Sequence, residues 1–181
     1  MEFTSYAPIT SSDEKEFNPT YSPDGKFILF HRHASSCENN IWAKDVTTKQ
    51  EKRLTSSWGR YTGHQFSPDG KKLVFVSREQ CNQQKNQVYC QNLMSLDFKS
   101  SLQSPQTPNI LLQCKSSPIA LPFWLRNNNI SFIQRMSNRW KLVSFSPQTQ
   151  RTSDLFVPES GDIINYTYSA KLDLFALITI A

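Results

Sequence analysis

The 181-residue sequence predicts an all-β fold: a β-propeller fragment of about three full four-stranded blades with partial blades at both ends. Three observations carry this. A ten-residue unit, Tyr21-Ser22-Pro23-Asp24-Gly25-Lys26-Phe27-Ile28-Leu29-Phe30, returns 45 positions later as Phe66-Ser67-Pro68-Asp69-Gly70-Lys71-Lys72-Leu73-Val74-Phe75, and that period suits a propeller blade. The unit is also flanked in register, by Ile9-Thr10-Ser11-Ser12 before the first copy and Leu54-Thr55-Ser56-Ser57 before the second. Aromatic residues make up 12% and charged residues only 19%, with Gly, Pro, Ser, Asn and Gln filling the gaps, a mixture that suits short strands joined by turns.

Each unit reads as strand, tight turn, strand. Proline presets the turn, Asp bonds the backbone ahead of it, and Gly accepts the positive φ. The Ile9 stretch is taken as the last strand of an earlier blade, a lone strand over residues 7–11. The first full blade covers 17–55, with its third strand at Asn40–Val46 and its fourth at Glu51–Thr55. The second covers 63–112 and includes a Ser/Pro/Gln-rich insertion of about a dozen residues, Asp97 to Pro108, read as an exposed loop. The third covers 120–156. Its turn lacks Pro-Asp-Gly, and Asn127 is placed where Gly stood. A partial blade over 164–181 has Leu172 at the glycine position, so its turn must differ.

The net charge is +5, but the Lys and Arg residues are scattered along the chain, which points to a solvated surface and no nucleic-acid contact. No apolar run is long enough for a membrane helix. Met1-Glu2-Phe3 opens no signal peptide, so a piece excised from a longer protein is expected. Cys37, Cys81, Cys90 and Cys114 lack metal-ligand spacing. Cys81, Cys90 and Cys114 are candidates for a disulfide, with the pairing open. His31 and His33 share a strand face near Cys37 and Glu38, where a metal ion is conceivable, but polar residues beside a turn are the simpler reading, and no metal or cofactor is assigned. His64 has no nucleophile elbow to serve, so no catalytic residue is assigned and no enzyme activity is expected. Trp42 and Trp140 read as packing between blades. The candidate binding residues are Trp58, Arg60, Tyr61 and His64, in the connection from one blade to the next, where an aromatic beside an Arg suits an interaction surface.

The run Tyr/Phe-Ser-Pro-Asp-Gly-Lys-x-Ile/Leu-x-Phe, followed by Asn-x-Ile-Trp-x-x-Asp and Arg-Leu-Thr, resembles the TolB-like β-propeller repeat. The match is strong at Tyr21 and Phe66 and faint in the two later copies. The resemblance implies a protein-interaction or ligand-sensing module located in the periplasm. Its implied parent is a membrane-bound regulator of the CadC/ToxR-like type, with this chain as the extracytoplasmic sensor. Its alternatives are a TolB-like periplasmic partner-binding protein and the gating propeller of a prolyl-oligopeptidase-like peptidase. A homodimer completing one ring is a further expectation.

Overall fold

The computed structural model describes residues 8–35, 38–78, 91–113 and 117–180. Three four-stranded antiparallel sheets follow one another. The first is β1 (Glu16–Tyr21), β2 (Phe27–His33), β3 (Asn39–Asp45) and β4 (Glu51–Arg53). The second is β5 (Arg60–Phe66), β6 (Lys72–Arg78), β7 (Gln91–Asp97) and β8 (Asn109–Leu112). The third is β9 (Ile119–Trp124), β10 (Ile130–Met136), β11 (Arg139–Ser146) and β12 (Arg151–Phe156). A two-stranded hairpin, β13 (Asp162–Ser169) and β14 (Leu174–Ile180), stands in the fourth place.

Burial explains why the sequence shows apolar runs instead of alternation. The middle strands β2, β6 and β10 are covered on both faces, as in sheets sandwiched between layers, whereas β12 is exposed throughout. Leu29, Ile41 and Ala43 of the first blade pack against Leu73, Phe75, Met94 and Leu96 of the second. Val74, Val76 and Leu93 then meet Ile130, Phe132, Val143 and Phe145 of the third. Ile133 and Leu142 meet Ile163 and Tyr166 of the hairpin. Each blade thus lends one face to either neighbour, which is how repeat arrays assemble a continuous core. The first strands lie side by side, β5 against β9 and β9 against β13, which places them at the hub.

The two Ser-Pro-Asp-Gly turns are near copies. Ser22 Oγ donates to Asp24 Oδ1 at 2.6 Å and accepts from Phe27 N at 2.9 Å. Ser67 Oγ donates to Asp69 Oδ1 at 2.7 Å and accepts from Lys72 N at 2.9 Å. In the third turn the positive φ of 62° belongs to Asn128, not Asn127. Asn127 takes the Asp role instead, its Oδ1 accepting from Asn129 N at 3.0 Å. The fourth turn puts the left-handed residue at Asp173, which leaves Leu172 without that burden.

A second repeated device lies in the hub strands. Asn18, Gly63 and Leu121 all have positive φ, and each sits at a register shift between the first and second strand of its blade. Such bulges bend a strand and sharpen its twist. Tyr166 of the hairpin donates from its hydroxyl to the Leu121 carbonyl at 2.6 Å, which fastens one of them. A Cβ on Gly63 would meet Pro122 Cδ of the next blade at 3.3 Å, on top of its φ of +68°. Gly25, at φ +70°, has open space around it. Gly63→Ala is therefore expected to cost about 1–2 kcal/mol, and more than Gly25→Ala, which bears only the backbone penalty. Parallel urea titrations of both variants read the difference; equal losses would remove the contact between blades from the account.

Two expectations change. Residues 8–11 form no strand, because the third strand of an earlier blade, which would pair with them as Ile41 O pairs with Leu54 N at 2.8 Å, is lacking among the described residues. The Asp97–Pro108 insertion is not a free loop. Asp97 caps a short helix α1 (Phe98–Gln103) by accepting from Ser100 N. Phe98 is wedged between Phe27 and Phe66, its ring centroid 5.4 Å and 5.0 Å from theirs in edge-to-face contact. Gln106 then bonds the backbone of Leu54 and Ser56 at 2.8 Å each, so the insertion ties the second blade to the first.

The array has unlike ends. Over the outward face of the first blade lies the segment before β1, with Thr10 bonded to Glu16 and Glu14 within 3.8 Å of Arg32. The outward face of the hairpin leaves Leu174, Ile178 and Ile180 exposed.

Candidate binding site

Antiparallel order sends all the blade-to-blade connections, and all the connections between second and third strands, to one end of the molecule. The four sequence candidates start there and then diverge. Trp58 is 50% exposed, with the Arg53 guanidinium 5.7 Å from its ring centre. Gly59 holds the connection down by pairing with Asn39, whose N–H donates to Gly59 O at 2.7 Å. Arg60 is the exposed first residue of β5.

Tyr61 and His64 are not on that surface. Tyr61 is 3% exposed, with its ring edge-to-face on Phe75 at 5.3 Å. His64 is 2% exposed. Strand alternation is the cause: residues next to Arg60 turn inward, and the bulge at Gly63 aims His64 at the first blade. Trp58 and Arg60 are thus both left at the surface, while Tyr61 and His64 serve the interior.

His64 instead joins a buried polar chain. Its Nδ1 lies 2.7 Å from His31 Nε2, and His31 Nδ1 lies 3.4 Å from Asn39 Oδ1. Asn39 is oriented by the Tyr61 peptide: its Nδ2 donates to Tyr61 O at 3.1 Å and its Oδ1 accepts from Tyr61 N at 3.2 Å. That orientation makes His31 protonated on Nδ1. His31 Nε2 then accepts from His64 Nδ1–H, and His64 Nε2 is left a bare lone pair with no partner among the described residues. Burial is the main cause that holds both imidazoles neutral: His31 is lowered to about 4, and His64, which also feels the neighbouring imidazole, to about 3. Phe17 stacks over His31 and lies beside His33, ring centroids 5.0 Å and 4.8 Å away.

The described residues hold no cluster of three His, Cys, Asp or Glu side chains that could bind a metal ion. Cys37, Cys81, Cys90 and Cys114 lie outside the described residues, so the disulfide candidates lie outside them too. Trp140 packs at the interface between the third blade and the hairpin, whereas Trp42 lies under Arg32 on the outward face of the first blade. A groove of about 350 Å³ runs between Ile9, Phe17 and Phe30. Its polar members, Thr10 and Glu16, are bonded to each other, and Glu16 is also paired with Arg32. No described helix is long and apolar enough to cross a membrane.

No family model matches the chain. It is 40% identical over 97 residues to the Tol-Pal system protein TolB of Francisella tularensis subsp. mediasiatica, covering 54% of this chain and 22% of that protein. It is 36% identical over 70 residues to an uncharacterized protein of Agrobacterium fabrum, covering 38% of this chain and 23% of the other. The chain therefore spans about a fifth of the length of these relatives. Among solved structures, TolB from Acinetobacter baumannii superposes with a TM-score of 0.70 at 16% identity, over 93% of this chain and 39% of that one. Puromycin hydrolase superposes with a TM-score of 0.65 at 15% identity, over 91% of this chain and 27% of that one. The β-propeller domain of the Trilobed protease from Pyrococcus furiosus follows with a TM-score of 0.53 at 16% identity, over 82% and 45%.

These likenesses define the class. The chain has the β-propeller fold, of the TolB-like kind, as a run of three four-stranded blades and a two-stranded fourth.

Proposed function

We propose that this propeller fragment is a non-enzymatic module that binds a protein partner outside the cytoplasm, through the end that carries Trp58 and Arg60. The observation that supports this is the half-exposed Trp58 ring beside Arg53, two residues before the exposed Arg60 and held on a rigid scaffold by the Gly59–Asn39 pairing. Rigid aromatics with arginines are the usual anchors of protein interfaces. The fuller reading makes the chain the periplasmic sensor part of a membrane-bound regulator of the CadC/ToxR-like type. Two readings compete. A TolB-like periplasmic partner-binding protein is favoured by the sequence match to TolB. A gating propeller is favoured by the fold's likeness to puromycin hydrolase.

The flanking coding sequence separates them: an upstream winged helix and membrane span for the regulator, an α/β-hydrolase domain for the gate, neither for the third. Within the module, Trp58→Ala and Arg60→Ala are each expected to weaken capture of the partner about tenfold with the melting point unchanged. Pull-down affinities unchanged in both variants would reject this surface. A second copy closing one ring would have to displace the segment that covers the first blade, and the mass in solution reads whether it does.

A further inference from the structure

The same four letters stand between the third and fourth strands of two successive blades, as Ser104-Pro105-Gln106-Thr107 and Ser146-Pro147-Gln148-Thr149, and they fold differently. In the third blade they make a tight turn. It closes at Gln150, which takes a φ of 56° and donates its N–H to Ser146 O at 2.8 Å. In the second blade the residue at that place is Pro108. Proline is locked near a φ of about −65° and has no N–H, so it can do neither, and it keeps the residue before it out of the helical region. The stretch is left extended, starting from Ser104 at φ −152° and ψ 144°. The Gln106 side chain folds back on it, its Nε2 donating to the Ser104 carbonyl and hydroxyl at 2.9 Å each.

The chain it pairs with is the connection that carries Trp58. Thr55 and Gln106 form a parallel bridge, in which Gln106 N donates to Leu54 O and Gln106 O accepts from Ser56 N, at 2.8 Å each. The hydroxyls of Ser56 and Thr107 meet at 2.9 Å. The connection leaves from β4, which has three residues and is the outermost strand of its sheet. So short a strand frays unless both of its sides are covered. The inner side is held from the hub: Leu54 N donates to Ile41 O at 2.8 Å, the Tyr61 hydroxyl donates to Ser57 O at 3.2 Å, and Gly59 pairs with Asn39. Among the described residues the insertion alone meets the outer side of residues 54–56. Arg53 and Trp58, whose guanidinium and ring centre are 5.7 Å apart, flank this clamped segment.

We infer that Gln106 is a positioning residue for Trp58. Through its backbone it clamps residues 54–56, and the clamp keeps the Trp58 ring and the Arg53 guanidinium in one mutual arrangement. The inference rests on the binding role proposed above and adds a residue of the second blade that acts on the anchor through the connection. An anchor ordered at folding loses less freedom on contact, so the clamp serves binding without adding a contact of its own.

The test is fluorine NMR of the full chain carrying 5-fluorotryptophan at its four tryptophans. The Trp58 and Trp140 resonances are assigned by their loss in Trp58→Phe and Trp140→Phe. Gln106→Pro deletes the N–H that donates to Leu54, whereas Gln106→Ala keeps the backbone and gives up only the bonds to Ser104. In Gln106→Pro the Trp58 line is expected to split or to broaden at least about twofold, the sign of exchange between arrangements, with the Trp140 line unchanged. In Gln106→Ala both lines are expected to stay as in the parent chain. Tyr166→Phe, which cuts the bond fastening the hairpin, controls for general loosening and is expected to leave Trp58 unchanged. An unchanged Trp58 line in Gln106→Pro overturns the inference, as does an equal change in Gln106→Ala or in Tyr166→Phe. Should Gln106→Pro fail to fold, Thr107→Val, which cuts only the hydroxyl contact with Ser56, takes its place: a broadened Trp58 line upholds the clamp and an unchanged one overturns it. No partner enters this measurement, so the pull-down with Trp58→Ala and Arg60→Ala judges the binding role separately.

Discussion

Arg32→Ala is expected to lower the unfolding free energy by about 3 kcal/mol, read from urea titration with the slope unchanged. Arg32 donates to Glu16 and to Glu51 at 2.6 Å each, and its guanidinium lies 4.4 Å from the Trp42 ring centre. The Arg32 side chain is 9% exposed, against 16% and 22% for the two glutamates. Removing the arginine strands two partly buried carboxylates and uncovers an indole, and stranded charge is the larger loss. Burial works against the charge on Glu51, but Arg32 and Lys44 outweigh it and keep its pKa below the ordinary value. The stability this pair contributes is therefore present above the ordinary glutamate pKa and fades as pH falls through the lowered one. Arg32→Met combined with Glu16→Leu and Glu51→Leu is expected to lose far less than the single variant, because no charge is left alone. A single-variant loss below about 0.5 kcal/mol would mean that water screens the pair fully.

Acid is expected to unfold the protein through His31 and His64. Both are buried neutral, with pKa values of about 4 and about 3. In the unfolded chain they take up protons near pH 6.5. The unfolded state thus binds more protons between those limits, and stability falls as pH drops below about 6.5, levelling only near the folded values. Each histidine adds up to about 1.4 kcal/mol per pH unit to that slope. His33, Asn39 and Phe17 surround the pair, and none supplies a negative charge that would ease protonation. The register gives the control. His31 pairs with Ile41 where Val76 pairs with Leu93 and Ile133 with Leu142, so the other two blades put an aliphatic residue at that place. His31→Val/His64→Leu is expected to flatten the stability profile between pH 6.5 and 4, measured by urea titration at each pH. A profile as steep as that of the parent chain would acquit both imidazoles.

Much of this was written locally. Ser22-Pro23-Asp24-Gly25 and its copy at Ser67 state their own hydrogen bonds, since the serine hydroxyls and the aspartate carboxylates find their partners within six residues. Where the signal came from a single residue type, it slipped: with three asparagines in a row, only the backbone decides that Asn128 and not Asn127 takes the positive φ. Long-range partners were harder still. Phe98 looked like one aromatic in a polar insertion, yet its value comes from Phe27 and Phe66, far away in sequence. Ile9-Thr10-Ser11 had the letters of a fourth strand but no third strand beside it among the described residues. Of the binding candidates, Trp58 and Arg60 follow from their place in a connection. Tyr61 and His64 required knowing the phase of β5 and its bulge.

The insertion that joins the first two blades changes how the array yields. Those blades are linked at the circumference as well as at the hub, so strain on either is shared, and they form one cooperative unit. The terminal hairpin is gripped on a single face, with Tyr166 as its clasp. Local opening is cheapest where burial is one-sided. The molecule is therefore graded, stiff at its beginning and yielding at its far edge, and a partner that engages the stiff end meets a surface already shaped before contact.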